Sequence, residues 1–230
     1  MLPCQAFHVV IYWNHNKVVI ICSEAKGISA MTLEVEVKFY CSDFQGIRRS
    51  LRDLGAFFLH ASFESNLVFD TPDYRLRKES MLLRLRSTGS QGGILCLKRP
   101  PSDAQPDDVK AWEELETPVD RSDEMRRLFL ALGYILSFSY EKMREEWELA
   151  GCRVCLDILP FGRFVEIEGE RQAIFDLAER LGIAECSRTV KNYHELNREY
   201  RARNNLAPDD SFVFSEPDKS RLIESCSGIC

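Results

Sequence analysis

The chain contains no run of roughly 20 consecutive apolar residues, so nothing in it reads as a helical membrane span. It lacks both a GxxxxGK[ST] loop and a GxGxxG turn, which argues against a nucleotide cradle built from backbone amides at a helix N-terminus. Histidine is scarce: His8, His15, His60 and His194 show no ligand spacing, which leaves any metal to oxygen ligands. The 9 cysteines are odd in number and scattered from Cys4 to Cys230, with no secretory context, and read as reduced cytoplasmic thiols. Cys152 and Cys155 are spaced like half a zinc site, but no second pair follows, and on a strand they would face opposite sides. A charge surplus is also missing, with 36 acidic against 30 basic residues and a net charge of −6. That balance disfavours nonspecific duplex binding and an acidic disordered protein. Neither a nucleic acid nor a membrane is expected as a partner.

What is present suits one soluble domain of 230 residues, 45% hydrophobic, as a monomer or homodimer. Residues 1–30 carry two short apolar runs, around Val9 to Trp13 and Val18 to Cys22, without the basic start of a signal peptide. They are expected to be a non-native or disordered extension, with Met31 as the true start. Residues 31–214 form the expected domain, and 215–230 a polar, disordered tail.

Between these ends strands alternate with helices. Thr32 to Tyr40 has period two, placing Glu34, Glu36 and Lys38 opposite Val35, Val37 and Phe39. Ser42 and Gln45 suggest a capping box for a helix whose stripe is Phe44, Ile47, Leu51 and Leu54, ended by Gly55. Ala56 to Asp70 reads as strand and Thr71-Pro72-Asp73 as a turn, which accounts for Asp70 and Asp73 without a functional role. Further strands carry Arg84 with Arg86, Lys98, Trp112 with Glu114 and Glu116, Lys142 with Arg144, Asp157, and Glu166 with Glu168. Helices are expected before Gly133, before Gly182, and from about Asn192 to Arg203.

Any one such strand is ordinary half-solvated sheet. Taken together, the strands carry like charges at i and i+2, which repel unless an opposite charge or a ligand lies between them. Helices cover the apolar faces, so the charged faces are left to meet one another, and the simplest closure is a barrel or tunnel with a charged lumen. Carboxylates there suit magnesium or manganese, and the arginines and lysines suit an extended polyanion such as a chain of phosphates.

These residues resemble the CYTH superfamily of class IV adenylyl cyclases and thiamine triphosphatases, the triphosphate tunnel metalloenzymes. The ExExK signature stands at Glu34-Val35-Glu36-Val37-Lys38. The similarity continues through Val68 to Asp73, Leu83 to Arg86, Leu97-Lys98, Glu114 to Glu116, Tyr140 to Arg144, Leu156-Asp157 and Gly162 to Gly169. The resemblance implies an α+β fold, a closed antiparallel eight-stranded β-barrel with helices packed outside. It implies one or two Mg2+ or Mn2+ ions on Glu34, Glu36, Asp157, Glu166 and Glu168, with Glu114 and Glu116 supporting metal or water. Lys38, Arg84, Arg86, Lys98, Lys142 and Arg144 would grip the phosphates, and Glu36, Lys38 and Glu166 would be catalytic. The expected activity is hydrolysis of inorganic triphosphate, thiamine triphosphate or ATP. The alternatives are conversion of ATP to cyclic AMP, and phosphate-chain binding without turnover.

Overall fold

The computed structural model describes residues 7–14, 17–24, 32–87 and 92–226. By contacts the chain divides into residues 1–31 and 32–230. In the first unit, β1 (Phe7–Asn14) and β2 (Lys17–Glu24) pair as an antiparallel hairpin, with Asn14 opposite Lys17. The two apolar runs expected to lie in a disordered extension are these strands, and their valines, isoleucines and aromatics favour a pleated backbone. The expected start at Met31 lies outside the described residues.

In the second unit the elements run β3 (Thr32–Tyr40), α1 (Phe44–Asp53), β4 (Phe57–Asp70), α2 (Arg75–Lys78), β5 (Leu82–Ser87), β6 (Gly93–Arg99) and β7 (Lys110–Val119). They continue with α3 (Ser122–Ala131), β8 (Ile135–Leu149), β9 (Cys152–Leu159), β10 (Gly162–Glu168), α4 (Arg171–Arg180), β11 (Arg188–Thr189), α5 (Tyr193–Arg203) and α6 (Glu216–Cys226). Strands pair in the order β10-β9-β8-β4-β5-β6-β7-β3, and β10 also pairs with β3, which closes an antiparallel barrel of eight strands. The short β11 adds to β3 alone.

Period-two alternation around a closed barrel gives every strand an outer and an inner face. On the outer face Val37, Phe39, Val154, Leu156, Val165 and Ile167 are buried with Phe44, Ile47 and Leu51 of α1 and Ile174, Leu177 and Ala178 of α4. Each valine, leucine, isoleucine or phenylalanine among them contributes about 1.5–3 kcal/mol by leaving water. Phe69 and Leu85 pack likewise with Phe129 of α3. Tyr193 and Leu196 of α5 instead meet Val68, Tyr140 and Phe164, which share the inner faces of their strands with the charged residues.

Helix ends follow the sequence with two corrections. Gly55 and Gly182 leave α1 and α4 at φ +80 and +73, a backbone region that favours glycine. The cap of α1 is Asp43, one residue after the expected Ser42, and its carboxylate accepts the Gly46 amide at 2.9 Å. The segment expected as a disordered tail from 215 is helical over Glu216–Cys226. Ser215 opens that helix, its Oγ accepting from the Asp218 amide at 3.3 Å, and Lys219 Nζ reaches Glu141 Oε1 at 2.6 Å. A Ser-x-x-Asp start and one buried anion to pair with outweigh the segment's polar composition.

Candidate functional site in the barrel lumen

Strand register brings opposite charges face to face inside the barrel. Glu36 stands opposite Lys110, Lys38 opposite Glu166, Lys98 opposite Glu114, Arg144 opposite Asp157, and Lys142 opposite Glu64. One of the like charges on several strands is thus compensated across the sheet, where directly opposed side chains interact, whereas Glu168 stands opposite Glu36 and Arg84 and Arg86 face neutral residues. The inner faces enclose a cavity of about 760 Å³. Every site residue expected from the sequence lines it except Asp157, which is fully buried.

The cations fall into two groups. Lys38 Nζ lies 2.5 Å from Glu36 Oε1 and 2.7 Å from Glu166 Oε2. Arg144 donates through Nε and Nη2 to Asp157 at 2.7 and 2.5 Å, and through Nη2 to Glu166 at 2.6 Å. Asp157 also accepts the Tyr193 hydroxyl at 2.7 Å, so both of its oxygens are engaged. Lys98 is bonded to Glu34. Arg84, Arg86 and Lys142 are held loosely by comparison. Arg84 bonds the Tyr140 hydroxyl at 3.1 Å and lies 3.4 Å from Glu116, while Arg86 lies 3.3 Å from Glu116 and 3.6 Å from Glu64. Lys142 Nζ lies 3.6 Å from both Glu64 and Asp157.

Electrostatics separate the carboxylates too. Burial and Glu166 push Glu36 up, but the ammonium groups of Lys38, Lys110 and Lys98 outweigh them and hold it at about 2. Glu166, buried as fully, is carried well below the usual range by Lys38, Arg144 and Lys142. Glu168 goes the other way: burial and then Glu166 raise it to about 8 against the pull of Arg144. Glu34 is also raised, by burial first and by Glu36 and Glu114, with Lys98 opposing.

Glu34, Glu36 and Glu168 each offer an oxygen, and these atoms lie within 4.8 Å of one another. Within this all-oxygen set Glu34 and Glu168 are raised by burial and by neighbouring carboxylates, while Glu36 is held low by its lysines, and the three oxygens suit a hard divalent cation. Two other groups among the described residues, Cys96 with Glu114 and Glu116, and Cys155 with Glu166 and Glu168, include a thiol. Burial pushes Cys96 up to about 12 and Cys155 well above its ordinary value, and a thiol is a softer ligand than magnesium or manganese prefers. Asp157 belongs to none of the three groups, although Arg144 Nη2 bridges it to Glu166.

Among the inward residues not singled out from the sequence are Glu64, Lys110 and Tyr193. Glu64, on β4, is 2% exposed and is held at about 2, burial being outweighed by Lys142, Arg144, Arg86 and Arg84. Its signal was the alternation Ser62, Glu64, Asn66 against Phe63, Ser65, Leu67, muted by neutral neighbours. Lys110 extends the parity of Trp112 and Glu114 by one step, and its Nζ lies 3.2 Å from Glu36. Tyr193 enters from α5, with Lys38 Nζ 5.0 Å from its ring centre, a placement no strand pattern signals. Asp70 accepts the amides of Thr71, Leu76 and Arg77 at 2.7, 2.9 and 3.0 Å, as a turn residue does.

The closed barrel thus sets an all-oxygen carboxylate group beside loosely held arginines and a lysine, a lining whose chemistry suits a cation and an anion together. The CYTH domain family matches residues 32–193, well over half of the chain, and the chain belongs to that family of triphosphate-processing proteins. A candidate adenylate cyclase of Methanocaldococcus jannaschii is 26% identical over 149 residues, 64% of this chain and 81% of that one. The crystal structure of a candidate adenylate cyclase from Vibrio parahaemolyticus matches with a TM-score of 0.64 and 20% identity, over 73% of this chain and 98% of the other. A Hippeastrum protein named as a candidate adenylyl cyclase with a dominant triphosphatase activity matches with a TM-score of 0.52 and 19% identity, over 77% and 98%. No helix among the described residues is long and apolar enough to cross a membrane.

Proposed function

We propose that the protein is a divalent-metal-dependent triphosphatase that hydrolyses an inorganic or organic triphosphate. The observation that carries this reading is the pairing, in one cavity, of the Glu34, Glu36 and Glu168 group with Arg84, Arg86 and Lys142, whose carboxylate contacts are all 3.3 Å or longer. Loosely held cations exchange partners at little cost, so they are the ones free to take phosphate oxygens. Arginine forks match those oxygens, and Lys142 adds a point charge. Lys38 and Arg144 act differently: bonded closely to carboxylates on neighbouring strands, they fix the wall and hold Glu36, Glu166 and Asp157 in place. Tyr193 keeps its proton, because burial and then Asp157 raise it well above the usual phenol value, and it secures Asp157 as a donor.

Magnesium or manganese held by Glu34, Glu36 and Glu168 would supply positive charge to the phosphate oxygens and acidify a bound water. In the reaction, water adds to the terminal phosphorus as the bridging P–O bond breaks, releasing phosphate and leaving a diphosphate. With three cations on the chain, catalysis is positioning and charge neutralisation, and no covalent intermediate is required.

One observation favours a second reading. The same cavity is lined by Val68, Met81, Leu82 and Phe138, an apolar region that suits an organic group such as a nucleoside. Two activity names also attach to this fold among similar proteins, so the fold alone does not choose between hydrolysis and cyclisation of ATP. The test is one panel: purified protein with magnesium or manganese against inorganic triphosphate, thiamine triphosphate and ATP, following phosphate, pyrophosphate and cyclic AMP. Phosphate as the main product supports hydrolysis. Cyclic AMP as the main product replaces it with the cyclase, and binding without turnover replaces both.

A further inference from the structure

We infer that Glu64 is a resident counter-anion of the phosphate grip: it holds Arg86 and Lys142 until a triphosphate takes over their charge, and it thereby selects long phosphate chains over single phosphates. The inference rests on the triphosphate reading above and adds a positioning residue to it.

Glu64 projects from the inner face of β4 opposite Lys142 of β8. Its oxygens lie 3.6 Å from Arg86 Nη1 and 3.6 Å from Lys142 Nζ, beyond hydrogen-bond length, and Oε2 accepts no hydrogen bond although the residue is 2% exposed. The carboxylate of Asp157, in the same barrel, is bonded by both Arg144 and Tyr193. Glu64 is therefore not a tight strut of the wall. Its neighbours on the same face share this condition: the Ser62 hydroxyl and both amide atoms of the buried Asn66 make no hydrogen bond within the protein. Buried polar groups are nearly always bonded, so three in a row on one wall mark a surface suited to a polar ligand.

The charge has a consequence for selection. Without Glu64, Arg84, Arg86 and Lys142 would repel one another around one cavity; with it, the grip is assembled in advance but partly neutralised. An incoming anion must outcompete a carboxylate already in place. A triphosphate, with several charged oxygens along its length, does so, whereas a single phosphate gains less, and a hydrolysed product is released more readily.

The test is calorimetric titration of the whole protein in EDTA with inorganic triphosphate and, separately, inorganic phosphate, comparing wild type, Glu64→Gln and Glu64→Asp. Glu64→Gln is expected to bind triphosphate about tenfold or more tightly, the scale of one unit charge acting over several ångströms, and to discriminate less against phosphate. Glu64→Asp keeps the charge and is expected to stay close to wild type. In turnover with magnesium or manganese, KM and kcat of Glu64→Gln should fall together. A folded Glu64→Gln with unchanged or weaker triphosphate affinity overturns the inference while leaving the triphosphate reading intact; a wild type that binds no triphosphate overturns both. Should Glu64→Gln not fold, Asn66→Asp carries the test with opposite sign, because it adds an anion opposite Arg86. About tenfold weaker triphosphate binding supports the inference, and unchanged or tighter binding overturns it.

Discussion

Lys38 of β3 and Glu166 of β10 face each other across the seam where the barrel closes, with Nζ 2.7 Å from Oε2 and also 2.5 Å from Glu36 Oε1. One ammonium thus serves two buried carboxylates. Removing it as Lys38→Met leaves Glu36 without its closest partner and Glu166 with Arg144 alone at close range, and the expected cost is about 3–5 kcal/mol, read as a lower urea midpoint. A midpoint within error of wild type would show that the seam does not depend on this charge.

Tyr193 fixes the inner wall from outside the sheet by donating to Asp157 at 2.7 Å. Tyr193→Phe keeps the ring and removes the hydroxyl, leaving a buried carboxylate one donor short. A loss of about 1–3 kcal/mol in unfolding free energy is expected; an unchanged value would mean that Arg144 alone satisfies Asp157.

The all-oxygen group makes a thermal prediction. Magnesium or manganese in excess should raise the Tm of the wild type, because an ion that binds only the folded state stabilises it. Glu168→Gln, which takes away one of the three clustered carboxylates, should lose most of that rise. An equal rise in both proteins would move the metal elsewhere.

Arg84 lies 3.4 Å from Glu116 and is among the loosely held cations. Arg84→Ala is expected to raise KM for triphosphate about tenfold or more and to change kcat less, since it removes a binding contact. A fall in kcat at constant KM would instead place Arg84 in transition-state stabilisation.

Acid stability follows from Glu64. Its folded value of about 2 lies below the ordinary 4.5, so its stabilising contribution is complete above pH 4.5 and is lost as the pH falls through 2. That contribution is on the order of 3 kcal/mol. Urea unfolding of Glu64→Gln should show a shallower loss of stability than wild type between pH 4.5 and pH 2. Parallel curves would contradict the assignment of a strongly ionised Glu64.

The barrel was legible because its strands repeat a single rule: apolar residues on one face, paired like charges on the other. Glu34, Glu36 and Lys38 announce it, and Arg84 with Arg86 and Lys142 with Arg144 repeat it with the sign reversed. The roles inside the lumen were less legible, because they depend on register. Asp157 carries the charge of a metal ligand, but Arg144 opposite it and Tyr193 from α5 occupy both oxygens, a partnership between residues far apart in sequence. Glu64 sits between Ser62 and Asn66 on its face, and Lys110 precedes the part of its strand where charge recurs, so neither shows the paired pattern. In α6 the Ser215 and Asp218 cap was present in the sequence but outweighed by a composition that reads as a polar tail.

The central claim is that the lumen holds a metal and a triphosphate together for hydrolysis. Phosphate release from inorganic triphosphate, measured with magnesium or manganese and again in EDTA, tests it most directly with wild type and Glu36→Gln side by side. The expected result is release by the wild type that requires the metal and is abolished by the substitution. Equal release from both proteins, or none from the folded wild type with either metal, would contradict it.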